Sequence, residues 1–158
     1  MTDRRRFLAL AGLAATGMLL PRGLFAFTPP AKIPMTVYKS PTCGCCHNWV
    51  EYVTANGFTP KVIDIADQSR LDDIKTTSGI PVGVRSCHLA LVGTYAVEGH
   101  VPTDLIRKML REKPRARGLA VPGMVGGTPG MDTPGAPPAH YDVLIFQRDG
   151  SSRVYASK

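Results

Sequence analysis

The stretch Ser40-Pro41-Thr42-Cys43-Gly44-Cys45-Cys46-His47-Asn48-Trp49 packs three cysteines into four residues, and a fourth, Cys87, stands in Arg85-Ser86-Cys87-His88. Consecutive Cα atoms lie about 3.8 Å apart, closer than an unstrained disulfide usually allows, so a Cys45–Cys46 bridge is disfavoured. What remains is C-x-x-C, from Cys43 to Cys46, with an extra thiol inside it and another elsewhere. That arrangement suits soft-metal binding or dithiol redox work.

Outward from the cysteines, the pattern is regular. Met35 to Lys39 is a short β-rich run that stops at the Ser40-Pro41 turn signal. Trp49, Val50 and Val53 recur at helical spacing between Cys45 and Asn56, and Asn56-Gly57 supplies a stop. Lys61 to Ile65 alternates as a second strand, and Leu71 and Ile74 share one face of a helix over Ser69 to Thr77. His88 to Val92 and Tyr95 to Gly99 flank Gly93-Thr94 and predict a hairpin. Thr103 is then expected to cap a helix that carries Asp104 early and basic residues late, as the helix dipole favours.

The order β-α-β-α-β-β-α, with a cysteine pair where the first strand meets the first helix, is an α/β arrangement that resembles the thioredoxin fold. In that fold the C-x-x-C opens the first helix, where unpaired N–H groups and the dipole stabilise thiolate. Cys45 stands where thioredoxins usually carry proline, and Ser86-Cys87 occupies the place of their cis-proline; Pro81 lies too early for it. The fold therefore predicts that Cys87 approaches the other three cysteines.

Residues 114–139 hold six prolines and six glycines among 26 positions, which reads against regular structure. Leu119, Val121, Met124 and Val125 nevertheless predict a loop laid against the domain. A terminal hairpin over 141–155 is expected to extend the sheet edge, with Tyr141 to Gln147 and Arg153 to Tyr155 as its strands and Asp149-Gly150 as its turn.

The N-terminus combines Arg4-Arg5-Arg6-Phe7-Leu8, similar to a twin-arginine export pattern, with an apolar run from Leu8 to Leu20. A span needs about 20 residues, so residues 1–26 read as an export signal. No stable membrane span is expected once it is cleaved. Residues 27–34 read as a short linker, and 35–158 as one thioredoxin-like domain of a size that can bury one core. Without 1–26 the formal charge falls from +7 to +4, from 15 basic and 11 acidic residues. No basic stripe interleaved with aromatics survives, so nucleic acid is not an expected partner.

Thiolates with thioethers select Cu(I), while thiolates alone also suit zinc and iron–sulfur clusters. Structural zinc prefers four ligands from separated pairs. Cu(I) accepts two or three sulfurs, and bridging thiolates can hold several ions, which favours copper on Cys43, Cys45, Cys46 and Cys87. Metal-free dithiol exchange and a plain structural Cys43–Cys46 disulfide stay open as alternatives. Around the site, His47 and His140 read as solvated surface residues. His88 is expected on the strand face opposite Cys87, and His100 stands between a site role and helix capping. Met124 and Met131 are either loop fillers or thioether ligands. Met124, Met131, His88 and His100 are thus the candidate additional ligands.

Three motifs in order, Tyr38 to Tyr52, Ser86 to Leu110 and Gly118 to Asp132, resemble the CopG-type copper-associated proteins, a thioredoxin-like periplasmic group formerly of unknown function. The resemblance runs from about Thr36 to the C-terminus. The family's late loop more commonly reads G-M-P-x-G-S-P-G-M-E; here Val125, Thr128 and Asp132 differ, and both methionines are kept. Membership implies a bacterial periplasmic protein linked to copper resistance, with Cys43, Cys45, Cys46 and Cys87 as a redox-capable Cu(I) site. It also implies copper ions as partners, with another periplasmic copper protein as a candidate. The competing function is a thiol-disulfide oxidoreductase in which Cys43 attacks and Cys46 resolves. Copper or thiol oxidoreductase activity is therefore the enzymatic expectation.

Overall fold

A computed structural model describes residues 31–132, 135 and 140–158. The export-signal reading of 1–26, the first four linker residues and most of 133–139 lie outside the described residues. Strand β1 (Ile33–Lys39) begins two residues inside the stretch read as linker. It is followed by α1 (Gly44–Ala55), β2 (Phe58–Asp64), α2 (Gln68–Thr77), a 3-10 turn at Val82–Val84, and the hairpin β3 (Leu89–Val92) and β4 (Tyr95–Glu98). Helix α3 (Thr103–Glu112), β5 (Gly118–Ala120), β6 (Asp142–Phe146) and β7 (Ser152–Ser157) complete the chain.

All seven strands join one mixed sheet in the order β2-β1-β3-β4-β5-β6-β7. The β1–β2 and β4–β5 pairs are parallel and the others antiparallel. Period-2 alternation assigns residues to two cores. Ala90, Val92, Tyr95, Val97 and Leu119 meet Trp49 and Val53 of α1 and Leu105, Ile106 and Met109 of α3. Leu89, Ala96, Ala120 and Phe146 face the other way, toward Ile80 and Val84, with Ile74 of α2 packed against them. Both faces of the central strands are therefore covered, which explains why β3 to β5 read as almost continuous apolar runs. The result is the α/β, thioredoxin-like architecture read from the cysteine-bearing helix, extended by a C-terminal hairpin.

Two local expectations are corrected. The glycine- and proline-rich stretch does contain regular structure, because no proline falls between Arg115 and Val121 and Leu119 and Ala120 alternate between the two cores. Gly118 makes the pairing possible, since a Cβ there would land on the Ala96 carbonyl. The terminal hairpin extends the sheet edge as expected, attached through β5. Finally, Pro102 and not Thr103 precedes the first turn of α3; the Thr103 hydroxyl instead hydrogen-bonds the Tyr52 hydroxyl at 3.0 Å. Proline fits there because its fixed φ suits a helix start and no donor is lost.

Candidate metal centre

The centre is assembled by β1, the first turn of α1 and the segment that enters β3. Strand β1 ends at Lys39, the chain turns through Ser40 to Thr42, and Cys43 becomes the N-cap of α1, its sulfur accepting from the Cys46 N–H at 3.3 Å. Unpaired amides and the helix dipole at this end favour negative charge on sulfur. Cys87 arrives from the other side by register. Tyr38 pairs with Leu89 at the end of the antiparallel β1–β3 ladder, so the segment that enters β3 begins beside the end of β1. The sulfurs of Cys43, Cys45, Cys46 and Cys87 all lie within 4.8 Å of one another.

Cys43 and Cys46 are joined as a disulfide, and Cys45 and Cys87 are free thiols. Cys46 is fully buried while Cys43, Cys45 and Cys87 are half-buried, so the centre opens to solvent on one side. Burial, reinforced by neighbouring Cys45, pushes the Cys87 thiol up to about 11. Alkylation of Cys87 by iodoacetamide in the disulfide form is therefore expected to be slow at pH 8. Its rate should climb about tenfold per pH unit toward 11, because the thiolate is the nucleophile. Peptide mapping after timed labelling measures this; a rate that levels off near pH 9 would contradict a buried thiol.

Two histidines complete the surroundings. His100 is buried; its Nδ1 lies 2.8 Å from the Pro129 carbonyl and its Nε2 lies 3.1 Å from Cys87 Sγ. A carbonyl can only accept, so Nδ1 carries the proton and Nε2 presents its lone pair to the Cys87 thiol. His100 thus lies against Cys87, and Pro102 holds the N-cap position of α3. His88, also buried, sits between Trp49 and His100 at ring-centroid distances of 4.5 and 4.9 Å, with Nδ1 3.5 Å from Cys87 Sγ. The expectation that His88 turns away from Cys87 is overturned: strand alternation starts only at Leu89, so it does not govern these two residues. Burial holds both imidazoles below the usual histidine range, and His88 is lowered further by its neighbours His100 and Lys75.

His47 is exposed and lies 3.3 Å from Glu51, and His140 is exposed, as expected of surface residues. The late loop folds back over the centre. Gly130, at φ 83°, sits where a Cβ would come within 2.6 Å of the Trp49 backbone nitrogen and 3.0 Å of the Cys45 carbonyl. Gly123 N–H bonds the Arg85 carbonyl at 3.0 Å and its own carbonyl accepts from the Ser86 hydroxyl. Met124, 63 % exposed, and half-buried Met131 therefore follow directly on the two glycines that touch the cysteine-bearing segments.

One functional element escaped the sequence reading. Lys75 of α2 and Glu98 of β4 form a buried ion pair at 2.7 Å. Glu98 Oε1 also accepts from the Ser86 N–H at 2.7 Å, and the Lys75 ammonium donates to the Ser86 carbonyl. The pair grips both backbone groups of the residue before Cys87. Burial pushes the Glu98 carboxyl up to about 7, against the opposing pull of Lys75 and the Ser86 amide. A glutamate inside Tyr95-Ala96-Val97-Glu98, an apolar run covered on both faces, was the available signal.

The donor set fits copper: four sulfurs are soft ligands, and sulfurs bonded to one ion at about 2.3 Å lie at most about 4.6 Å apart. A family model described as a protein of unknown function, DUF411, matches residues 84–131, the segment from Cys87 through the late loop. No curated protein matches the chain. Two solved structures of a copper resistance protein copG, forms 1 and 2, each share 37 % sequence identity with it. They align over 80 % of this chain and 98 % of theirs, with TM-scores of 0.72 for form 1 and 0.70 for form 2.

Proposed function

Because this chain belongs to the CopG family of copper resistance proteins, we propose that it is an exported periplasmic protein that holds copper as Cu(I) on Cys43, Cys45, Cys46 and Cys87. The observation that carries this reading is the convergence of four sulfurs within 4.8 Å. Copper is the cargo, and thiolates are the ligands that prefer its reduced ion. Half-burial of three of the four cysteines leaves a route by which another periplasmic copper protein can deliver or remove the ion. No helix among the described residues is long and apolar enough to cross a membrane.

The cysteines also supply electrons. When Cys43 and Cys46 close to a disulfide, they release two electrons and two protons, which balances reduction of two Cu(II) ions to Cu(I). In the reverse reaction two Cu(I) ions are oxidised to Cu(II), and their two electrons with two protons open the disulfide and restore two ligands. The reading of Met124 and Met131 as added thioether ligands is supported by their sequence neighbours, since each follows a glycine held against a cysteine-bearing segment.

A second reading, thiol-disulfide exchange with Cys43 attacking and Cys46 resolving, is supported by the closed Cys43–Cys46 bridge at a helix N-terminus. The third and fourth thiols separate the two. An anaerobic Cu(I) titration of the reduced protein is expected to show lower stoichiometry or affinity for Cys45→Ser and for Cys87→Ser. If both variants keep full copper binding while Cys43→Ser alone abolishes insulin reduction, the copper reading fails.

A further inference from the structure

The end of the sheet opposite the cysteines carries arginines that no carboxylate answers. Strand β4 runs from Tyr95 to Glu98, toward the metal centre, and β5 runs parallel to it from Gly118, so the residues just before these strands lie at the far end. There a cleft of about 340 Å³ is lined by Arg115, Arg117 and Arg148, together with Thr94 and Gln147. No acidic residue lines it, and none of the three guanidiniums belongs to an ion pair among the described residues. The carboxylates closest in sequence are engaged elsewhere. Glu112 accepts from the Tyr155 hydroxyl at 2.7 Å, and Asp149 accepts from the Ser151 N–H at 2.9 Å and from its hydroxyl at 2.7 Å.

Two of the three cations are fixed in place by their surroundings. Arg117 is half-buried; its Nε donates to the Ser78 carbonyl and its Nη1 to the Thr94 carbonyl at 2.7 Å, which leaves Nη2 without a partner among the described residues. Arg148 lies across Gly79, where φ is 74° and a Cβ would come within 2.7 Å of the Arg148 Nη1. Burial, reinforced by neighbouring Arg148, holds the Arg117 guanidinium below the ordinary arginine range. Both side chains meet the C-terminal end of α2, whose cap is Ser78. A helix end supplies only about half an elementary negative charge, so three full positive charges exceed what the fold itself neutralises.

A phosphate supplies the missing charge in a matching geometry. Each guanidinium presents its N–H groups as a rigid planar fork that can pair two oxygens at once, and a tetrahedral phosphate offers oxygens to several forks. A second recess, of about 270 Å³, adjoins the first through Arg115 and Gln147 and adds Arg153 with Ser151 and Ser152. No aromatic side chain lines either recess, so a nucleobase would find nothing to stack on. We propose that the two recesses form an anion site for a phosphate-bearing ligand, with one phosphate held by Arg115, Arg117 and Arg148 and a second anionic or hydroxyl group beside Arg153. The site lies across the sheet from the cysteines and does not rest on the copper reading.

Titration calorimetry on the full chain, disulfide closed and no metal added, tests this with two probes. Inorganic pyrophosphate stands for a free anion, and dihexanoyl phosphatidylglycerol, kept below micelle formation, for a lipid headgroup. At least one is expected to bind, and the tighter of the two identifies the source of the phosphate. Arg148→Ala and Arg115→Ala should each weaken that binding by at least about tenfold, the usual worth of a hydrogen bond to a charged group. Lys61→Ala/Arg70→Ala removes as much charge as Arg115→Ala/Arg148→Ala, from exposed positions elsewhere. It should leave the affinity within about threefold at 0.15 M salt, where distant exposed charges are screened. Arg153→Ala should weaken the preferred probe and spare orthophosphate, which fills the first recess alone. In wild type, which needs no variant to fold, the bound probe should shift the nuclear-magnetic-resonance signals of the Arg117 Nε–H and the Gln147 amide. Failure of both probes to bind, equal losses in the two double variants, an Arg153→Ala variant that binds the preferred probe as wild type does, or shifts that spare Arg117 and Gln147 would overturn the proposal.

Discussion

Closing the Cys43–Cys46 disulfide is expected to weaken Cu(I) binding by at least about 100-fold. Loss of a mere outer-shell partner already costs about 10–100-fold in metal affinity, and the disulfide removes two of four proposed ligands. A bonded sulfur no longer offers the thiolate that serves as ligand. Of the two thiols that remain, Cys87 holds its proton up to about 11, so an ion must displace that proton before it can bind. Competition against a Cu(I) chelator, without oxygen and with or without a thiol reductant, measures the ratio directly. A Cys43→Ser/Cys46→Ser double variant should show the weak affinity of the oxidised protein in both conditions. Equal affinity for oxidised and reduced wild type would mean that Cys43 and Cys46 are not ligands.

The part of the centre closest in sequence was the most legible. Cys43 to Cys46 announce themselves, and a strand ending at Lys39 followed by helical spacing at Trp49 and Val53 fixes where they sit. Cys87 could be placed only through topology, because the β1–β3 pairing that brings the entry of β3 beside the end of β1 is a property of the sheet. The surroundings of His100 are hidden from the sequence for a similar reason. Its Pro129 partner is 29 residues away, in a loop whose composition hides its order. Strand β5 was missed because glycine and proline counts outweighed three alternating residues, and the need for glycine at 118 exists only once the Ala96 carbonyl is alongside. Lys75 and Glu98 were missed because neither residue looks buried alone. Their pairing needs the register of α2 against β4, at a separation of 23 residues.

Lys75→Met is expected to destabilise the metal-free protein by about 3–5 kcal/mol, the usual cost of stranding one member of a buried ion pair. Against a total stability of about 5–15 kcal/mol, that is a large fraction. Glu98 would keep only the Ser86 amide, with its second oxygen already unpartnered among the described residues. The carboxyl, pushed up by burial even beside Lys75, should rise further without it. A folded pKa above the unfolded value means that the native state binds more protons between the two, so stability falls as pH rises through that window. The defect in Lys75→Met should therefore be larger at pH 8 than at pH 5 in urea unfolding of the disulfide form. A loss below about 1 kcal/mol, or one flat with pH, would show that the pair contributes little. Lys75→Met/Glu98→Leu should recover much of the stability, because an apolar pair removes the stranded charge. It should not recover copper affinity. The Ser86 N–H and carbonyl would both lose their partners, so the segment that aims Cys87 at the other sulfurs would be released even in a stable protein. Stability and metal affinity that return together would instead make the ion pair a matter of folding alone.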